Sequence, residues 1–476
     1  MQKDDGASSE MSGVLASLQD ALGRQVSVDS QDTDAARADK SGHRSAGEPL
    51  CVVFAESTED VATVLRIANR FQTPVVARGA GSGLAGGAIG SPGEIVLSLE
   101  RMNRILEIST EDRWAIVEAG VINATLNETA QEYGLWFAPD PASRAWSTVG
   151  GNIATNAGGL LCVKYGVTRE AVLDLTVVLA SGEIIRVGHK TVKGVTGFDL
   201  AALFVGSEGT LGIITEATVA LKPLDTSPVW TISGVTSETA VAAHAVAATI
   251  TAGARPAILE LLDAKAADHI SRYLDRTDLP LGMTHLIAQT DGPSAEQDAR
   301  EIAEIWLGLG LTVDIGQDRE DLIAFRRAMH PAMEAVGNVL IEDVAVPRSQ
   351  LAAMFDAIRR IEEEFQVEIP TVAHAGDGNL HPNFIFPEEE APEHIWAAAD
   401  ALFHEAVALG GTLTGEHGVG LLKSRWLRDE LGDEQWRLQR EIKAVFDPTN
   451  ILNPGKVFDQ KLAARRQVDE SPSPVT

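Results

Sequence analysis

The sequence predicts an α+β protein in two parts, and three observations carry that expectation. Between Leu50 and Leu224 short β-type runs alternate with few helices and many glycines. Beyond Lys222-Pro223 the β-type runs are separated by long Ala-rich helical patterns, which reads as a largely antiparallel sheet covered by helices. The length agrees: 476 residues supply more than one core at roughly 100 to 200 residues per domain.

In chain order, residues 1–47 read as a loose tail followed by one docking helix, marked by Val14, Leu15, Leu18 and Leu22 and ending at Gly23. Strands are expected over 51–55, 74–77, 94–99, 114–118, 173–180, 183–187 and 211–221. The clearest helix, 59–71, follows Ser57-x-x-Asp60, a capping-box spacing, and repeats apolar residues at Val61, Val64, Leu65 and Ala68. In the second part, strands over 229–235, 257–262 and 283–289 alternate with helices over 237–251 and 294–307. A helix over 425–446 leads into a Pro-bounded loop, Asp447 to Lys456, and residues 465–476, with Ser-Pro-Ser-Pro, read as disordered.

The formal net charge of −29 makes nucleic acid and anionic lipid surfaces poor partners, so small anions must be held by local positive groups. Cys51 and Cys162 make no disulfide framework and no metal-type spacing, and Cys162 is expected to be a core thiol. The amino terminus lacks the apolar core of an export signal, and no apolar run approaches the roughly 18 residues of a membrane span. A cytoplasmic protein with no transmembrane segment is the expectation.

Arg78-Gly79-Ala80-Gly81-Ser82-Gly83-Leu84-Ala85-Gly86 contains a formal G-x-G-x-x-G after a strand. A Rossmann loop needs a helix to open at the third glycine. Here Gly87, Gly90, Pro92 and Gly93 follow, and then another strand. What remains is a run of backbone N–H groups without β-carbons, a nest able to hold a diphosphate. Two further clusters, Ser147 to Gly159 and Gly206 to Thr215, suggest a long ligand lying across several backbone segments, as a dinucleotide would.

These three clusters, with Gly194-Val195-Thr196-Gly197-Phe198-Asp199-Leu200 and Asn450 to Lys456, resemble the FAD-binding half of the vanillyl-alcohol oxidase and p-cresol methylhydroxylase superfamily. Within it, residues 48–458 are similar to the flavin-dependent D-2-hydroxyacid dehydrogenases: D-lactate dehydrogenase, the FAD subunit of glycolate oxidase and D-2-hydroxyglutarate dehydrogenase. The resemblance implies an FAD-binding domain over 48–225, a substrate or cap domain over 226–424, a segment over 425–460 returning to the FAD domain and a tail over 461–476. It implies FAD contacts from Arg78, Gly79, Ala80, Gly81, Ser82, Gly83, Leu84, Pro139, Ser147, Thr148, Gly150, Gly151, Asn156, Gly158, Glu208, Gly209, Gly212, Ile213 and Asn453. No His occurs between His43 and His189, so the implied FAD is noncovalent.

Most of the 11 histidines fall in amphipathic helices or loops. His374-Ala375-Gly376-Asp377-Gly378-Asn379-Leu380-His381 is different, because Asp-Gly favours a two-residue type I′ turn. That turn sets His374 and His381 directly opposite each other, with Asn383 on the same face. Two imidazoles so placed bind a divalent metal if a carboxylate joins them, and Gly415-Glu416-His417-Gly418 offers one. A fortuitous hairpin with a satisfied His pair is the other reading on spacing alone. The family resemblance implies His374, His381 and Glu416 as ligands of zinc or manganese, with His417 the general base and Asn383 a further catalytic residue on the same face.

The implied reaction is oxidation of a D-2-hydroxyacid to the 2-oxoacid by hydride transfer to FAD N5. A metal ion lowers the pKa of the substrate hydroxyl and a base collects its proton. Arg326 matches the position that holds the substrate carboxylate, with Arg327 the alternative. Where hydroxyglutarate enzymes carry a Lys for a second carboxylate, this chain has Ile341. That departure favours D-lactate, glycolate or a larger apolar 2-hydroxyacid over the diacid. The implied partners are this small substrate and an electron acceptor, which is an electron-transfer flavoprotein, a quinone, a cytochrome or an iron-sulfur subunit; a homodimer is admitted.

Overall fold

A computed structural model describes residues 4–458. They fall into two compact units: the described residues of Met1–Ala157, Thr168–Pro223 and His417–Thr476, and a second made of Gly158–Val167 and Leu224–Glu416.

The first unit holds two main sheets. In one, β1 (Val26–Ser27), β2 (Cys51–Phe54), β3 (Val75–Arg78) and β4 (Ile95–Ser98) lie in the order β1-β2-β4-β3, with β2 and β3 both parallel to β4. The other is antiparallel, from β5 (Ile105–Ser109), β6 (Trp114–Glu118), β8 (Val172–Val178), β9 (Ile184–Gly188) and β10 (Ile213–Ala220), in the order β5-β6-β10-β8-β9. The small strands β7 (Leu135–Trp136) and β11 (Lys222–Pro223) pair with each other. The helix Thr58–Phe71 starts where the capping spacing puts it: Ser57 accepts from the Asp60 N–H at 3.2 Å, and Val61, Val64, Leu65 and Ala68 are fully buried. Val14 and Leu18, from the helix Asp4–Leu22, join the same core.

The helix Asp4–Leu22 occupies the stretch ahead of Val14 where the loose tail is expected, and residues 23–47 carry elements that the sequence does not announce. Asp29 caps the helix Ser30–Ala35, β1 pairs with β2, the Gly90 N–H donates to the Ala36 carbonyl at 2.9 Å, and the Lys40 N–H donates to the Gly81 carbonyl at 3.1 Å. These are backbone contacts to the glycine loop, which apolar periodicity cannot register. The expected disorder over 465–476 lies outside the described residues.

The second unit is built on an antiparallel eight-stranded sheet. Its strands are β12 (Trp230–Thr236), β13 (Ile258–Leu262), β14 (Thr284–Thr290), β15 (Thr312–Gln317), β16 (Asn338–Ile341), β17 (Val344–Ala345), β18 (Thr371–His374) and β19 (Asn379–Phe386). The order is β15-β12-β14-β13-β18-β19-β16, with β17 also on β19. Helices over Thr239–Thr251 and Ala295–Gly308 meet through the fully buried Trp306, whose Nε1 donates to Thr249 Oγ1 at 2.9 Å. On one face Ile258, Leu262, Ile287 and Val372 pack with residues of the helices Ala264–Tyr273, Glu320–Arg327 and Met329–Glu334. Leu160 belongs to this core too, through the excursion Gly158–Val167.

The Asp377-Gly378 turn is a correction. β18 and β19 pair as Val372↔His381, Ala373↔Leu380 and His374↔Asn379, so four residues form the loop instead of two. A type I′ turn needs positive φ at both central residues. Here only Gly378 has it, at 87°, while the Gly376 N–H donates to Leu259 O on β13. The pairing thus moves by two residues along β19. A shift of two preserves the face, so His374 and His381 still point the same way, as diagonal neighbours rather than directly opposed.

Candidate active site

A glycine loop follows β3. No helix opens between β3 and β4, and among the described residues no backbone carbonyl takes an N–H from Gly79 through Leu84. Arg78 acts inside this loop: its Nη1 donates to Ala88 O at 2.9 Å, and a β-carbon on Gly81 would fall 2.3 Å from its Nη2. The clusters meet here. A β-carbon on Gly79 would lie 2.4 Å from Thr148 Oγ1, and one on Gly209 would touch the Ala77 side chain. Asn453 Nδ2 donates both to Gly87 O, at 3.0 Å, and to Glu208 O, at 2.8 Å.

The second cluster is a short helix, Val149–Thr155, whose Thr148 cap accepts from the Gly151 N–H at 3.1 Å and whose end is Asn156, in the left-handed region at φ 52°. Pro139 is linked to the cluster through Asn123, whose Nδ2 donates to the Pro139 carbonyl at 3.1 Å and whose N–H donates to Ser147 O at 3.0 Å. Three of the expected flavin residues have internal tasks. The Gly150 N–H donates to Ala119 O at 2.8 Å, Gly212 is pressed against Val177, and Ile213 is buried in β10. Gly158 belongs to the second unit, where a β-carbon would come within 2.3 Å of Glu416 Oε2. Glu208 spends its carboxylate on the Val419 and Gly420 N–H groups, at 2.7 and 2.8 Å, and burial pushes it up to about 7.

A flavin dinucleotide fits this set on one further observation. Ser147 Oγ, Asn152 Nδ2, Ser207 Oγ and Asn453 Oδ1 are buried, and none has a hydrogen-bond partner among the described residues. Buried polar atoms are nearly always satisfied, so four orphans in three clusters point to a polar ligand. Asn152 and Ser207 are additions to the sequence reading, which could see only their glycine-rich surroundings.

In the second unit, His374 Nε2 and His381 Nε2 stand 3.5 and 3.2 Å from Glu416 Oε1, and the two ring centroids are 5.0 Å apart. The three side chains can place one ligand atom each within 4.8 Å of one another. Behind them lie two carboxylates that the sequence reading missed. Glu260 accepts from His374 Nδ1 at 2.8 Å and, on its other oxygen, from Arg326 Nε at 2.6 Å. Asp343 accepts from Thr414 Oγ1 at 2.6 Å and the Glu416 N–H at 3.0 Å, and its other oxygen faces His381 Nδ1 at 3.9 Å. Two imidazoles and a carboxylate, each imidazole backed by an acid, form a donor set suited to a divalent ion such as zinc.

Carboxylates and imidazoles set one another's ionisation within this group. Burial alone would lower His374, but the Glu260 and Glu416 carboxylates outweigh it and hold the imidazole well above its ordinary range. Burial would raise Glu416, and His374 chiefly holds it well below instead. The structure separates the two arginines: Arg326 is buried and Arg327 exposed. Asn383 is buried, and its Nδ2 donates to His381 O at 2.7 Å, so its amide braces the ligand strand. Ile341 pairs with Asn383 across β16 and β19, on the face that carries His381. Cys162, expected in a core, is half-buried at the start of the helix Cys162–Tyr165.

Residues 49–188 match the FAD binding domain family, and residues 231–457 match FAD linked oxidases, C-terminal domain. The glycolate oxidase subunit GlcD of Bacillus subtilis is 40% identical over 432 residues, which cover 89% of this chain and 91% of that one. The chain belongs to the FAD-linked oxidase family. A family member named D-lactate dehydrogenase, from Anaerostipes hadrus, is 36% identical over 86% of this chain and 89% of its own. The fold extends to a more distant protein: p-cresol methylhydroxylase superposes with a TM-score of 0.77 at 18% identity, covering 95% of this chain and 98% of that one. As a family member the chain is an FAD-dependent oxidoreductase. Among the described residues no helix is long and apolar enough to cross a membrane.

Proposed function

We propose that this FAD-linked oxidase oxidises a small D-2-hydroxyacid, D-lactate or glycolate, to the 2-oxoacid, using a divalent ion held by His374, His381 and Glu416. The observation that carries the reading is the chain of contacts from Arg326 through Glu260 to His374, which joins a buried guanidinium to the candidate ligand set. A substrate whose carboxylate and hydroxyl sit on adjacent carbons needs those two recognition groups close together and held rigidly.

When bound, the flavin supplies the acceptor for the hydride from C2 and the ion supplies a positive centre for the hydroxyl. With Nε engaged by Glu260, the two Nη groups of Arg326 are available to hold the substrate carboxylate in a bidentate pair. His417, the residue after Glu416, takes the hydroxyl proton. Glu260 keeps the His374 imidazole in one orientation, so its Nε2 stays turned toward Glu416, and the Asp343 carboxylate lies on the far side of His381. The electrons then leave to an acceptor outside this chain. The names of two relatives, glycolate oxidase subunits from Bacillus subtilis and Escherichia coli, favour an accessory subunit as that acceptor.

Anaerobic mixing with a panel of D- and L-2-hydroxyacids tests this reading. Bleaching of the flavin absorbance by D-lactate or glycolate, and not by L-lactate, is expected. A flavin that stays oxidised with both acids rejects it.

A further inference from the structure

We infer that Glu208 is a positioning residue for His417: its carboxylate fixes the turn that follows the proposed base, instead of touching the flavin. The inference rests on the reading of His417 as base and adds the group that sets its backbone.

Glu208 holds its partners through every polar group it has. Oε1 accepts from the Val419 N–H at 2.7 Å and Oε2 from the Gly420 N–H at 2.8 Å. Its own N–H donates to Ala154 O, at 2.8 Å, and its carbonyl accepts from Asn453 Nδ2. A carboxylate spanning two consecutive N–H groups requires both to point toward it, which restricts the local backbone as a positioning device needs. The turn is shaped to receive it. Gly418 has φ 84°, and a β-carbon there would stand 3.0 Å from the Glu208 carboxylate. Gly420 has φ 50°, and a β-carbon there would strike Ala85 O at 2.1 Å.

The cost of this arrangement is visible at Glu208 itself. It is a non-glycine residue at φ 51°, in the left-handed region that favours glycine, inside a segment already rich in glycine. A glycine would relieve the backbone here but would not supply the carboxylate that bridges the Val419 and Gly420 N–H groups. Two bonds to the segment beginning two residues after His417 identify the task of Glu208. A shift of the reacting geometry by even about 1 Å is enough to cost roughly 100-fold in rate.

The test uses the full-length FAD-loaded protein with whichever of D-lactate and glycolate bleaches the parent faster. Glu208→Ala should keep FAD at one per chain and KM near the parent value, while kcat falls roughly tenfold or more and the pH limb that reports the base moves. Glu208→Gln, which retains one acceptor oxygen, should fall between and guards against a folding defect in the alanine variant. Combining Glu208→Ala with His417→Ala should be no worse than His417→Ala alone, since both act through one group. Multiplying effects, or loss of FAD with unchanged turnover per bound flavin, overturn the inference. A disabled His417→Ala beside an unaffected Glu208→Ala rejects this inference alone. A fully active His417→Ala removes the base reading and this inference with it.

Discussion

His374 Nδ1 lies 2.8 Å from Glu260 Oε1, and this single contact decides which nitrogen the imidazole turns to the ligand set. An ionised carboxylate only accepts, so Nδ1 carries the hydrogen and Nε2 faces Glu416. The same register that pairs Leu261 with Ala373 and Leu262 with Val372 brings Glu260 beside His374 on the adjacent strand. Glu260→Gln keeps the shape and removes the charge. Metal content measured on the purified protein should fall and activity should drop by about 10- to 100-fold, with FAD retained. Unchanged metal occupancy and turnover would mean that Glu260 serves only packing.

Glu260 was legible in principle. It is the one charged residue in Ala257-Ile258-Leu259-Glu260-Leu261-Leu262, and a lone acid in an otherwise apolar strand is a buried charge that needs partners. The glycine loop, the capped helix at Ser57 and the two histidines could be read because their signals are local. The pairing of β18 and β19 could not, because it depends on Gly376 bonding to β13, more than 100 residues away in sequence. The same limit hid Asp343, whose partners Thr414 and Glu416 lie some 70 residues downstream. The order of residues 23–47 was hidden likewise, since it is held by hydrogen bonds to Gly81 and Gly90.

His381→Ala removes a proposed ligand from a group in which His374 and Glu416 remain. The variant should lose bound metal and turnover while its flavin spectrum is unchanged. Exhaustive chelation of the parent should give the same phenotype, reversed by adding zinc or manganese. Full activity after both treatments would falsify the metal assignment.

The flavin should be held without a covalent link. The glycine loop offers N–H groups from Gly79 to Leu84, and the sequence has no His between His43 and His189. Acid precipitation should release the yellow colour into the supernatant, and a yellow washed pellet would show a covalent bond.

Asp263 gives a stability prediction with a definite sign. Burial pushes its carboxyl up to about 7 even though the Ala266 and Thr371 N–H groups donate to it at 2.7 and 3.0 Å. A carboxyl raised on folding binds its proton more tightly in the folded state. Its contribution is therefore fully present below the unfolded pKa, about 3.9, and is lost as pH rises toward about 7. Between these values it lowers stability by up to about 1.4 kcal/mol per pH unit. Asp263→Asn, which does not titrate, should flatten the fall in melting temperature between those pH values relative to the parent. Parallel curves would show that Asp263 keeps an ordinary carboxyl.

Substrate size turns on Ile341, which stands opposite Asn383 on the sheet face that carries His381. The Ile341 side chain gives a second carboxylate no ion pair, and an unpaired buried charge costs several kcal/mol that apolar packing does not return. Ile341→Lys supplies the missing charge on the strand face where the substrate is expected, through a bond worth roughly 1.5 to 3 kcal/mol. The comparison is kcat/KM for D-lactate and D-2-hydroxyglutarate in parent and variant. The parent should prefer the monoacid, and the variant should move toward the diacid by about tenfold or more, each tenfold being roughly 1.4 kcal/mol. A parent that already prefers D-2-hydroxyglutarate would place the distal cation elsewhere. Arg348, whose Nη1 donates to Gly376 O at 3.3 Å on the loop between the two histidine strands, would then be the residue to substitute next.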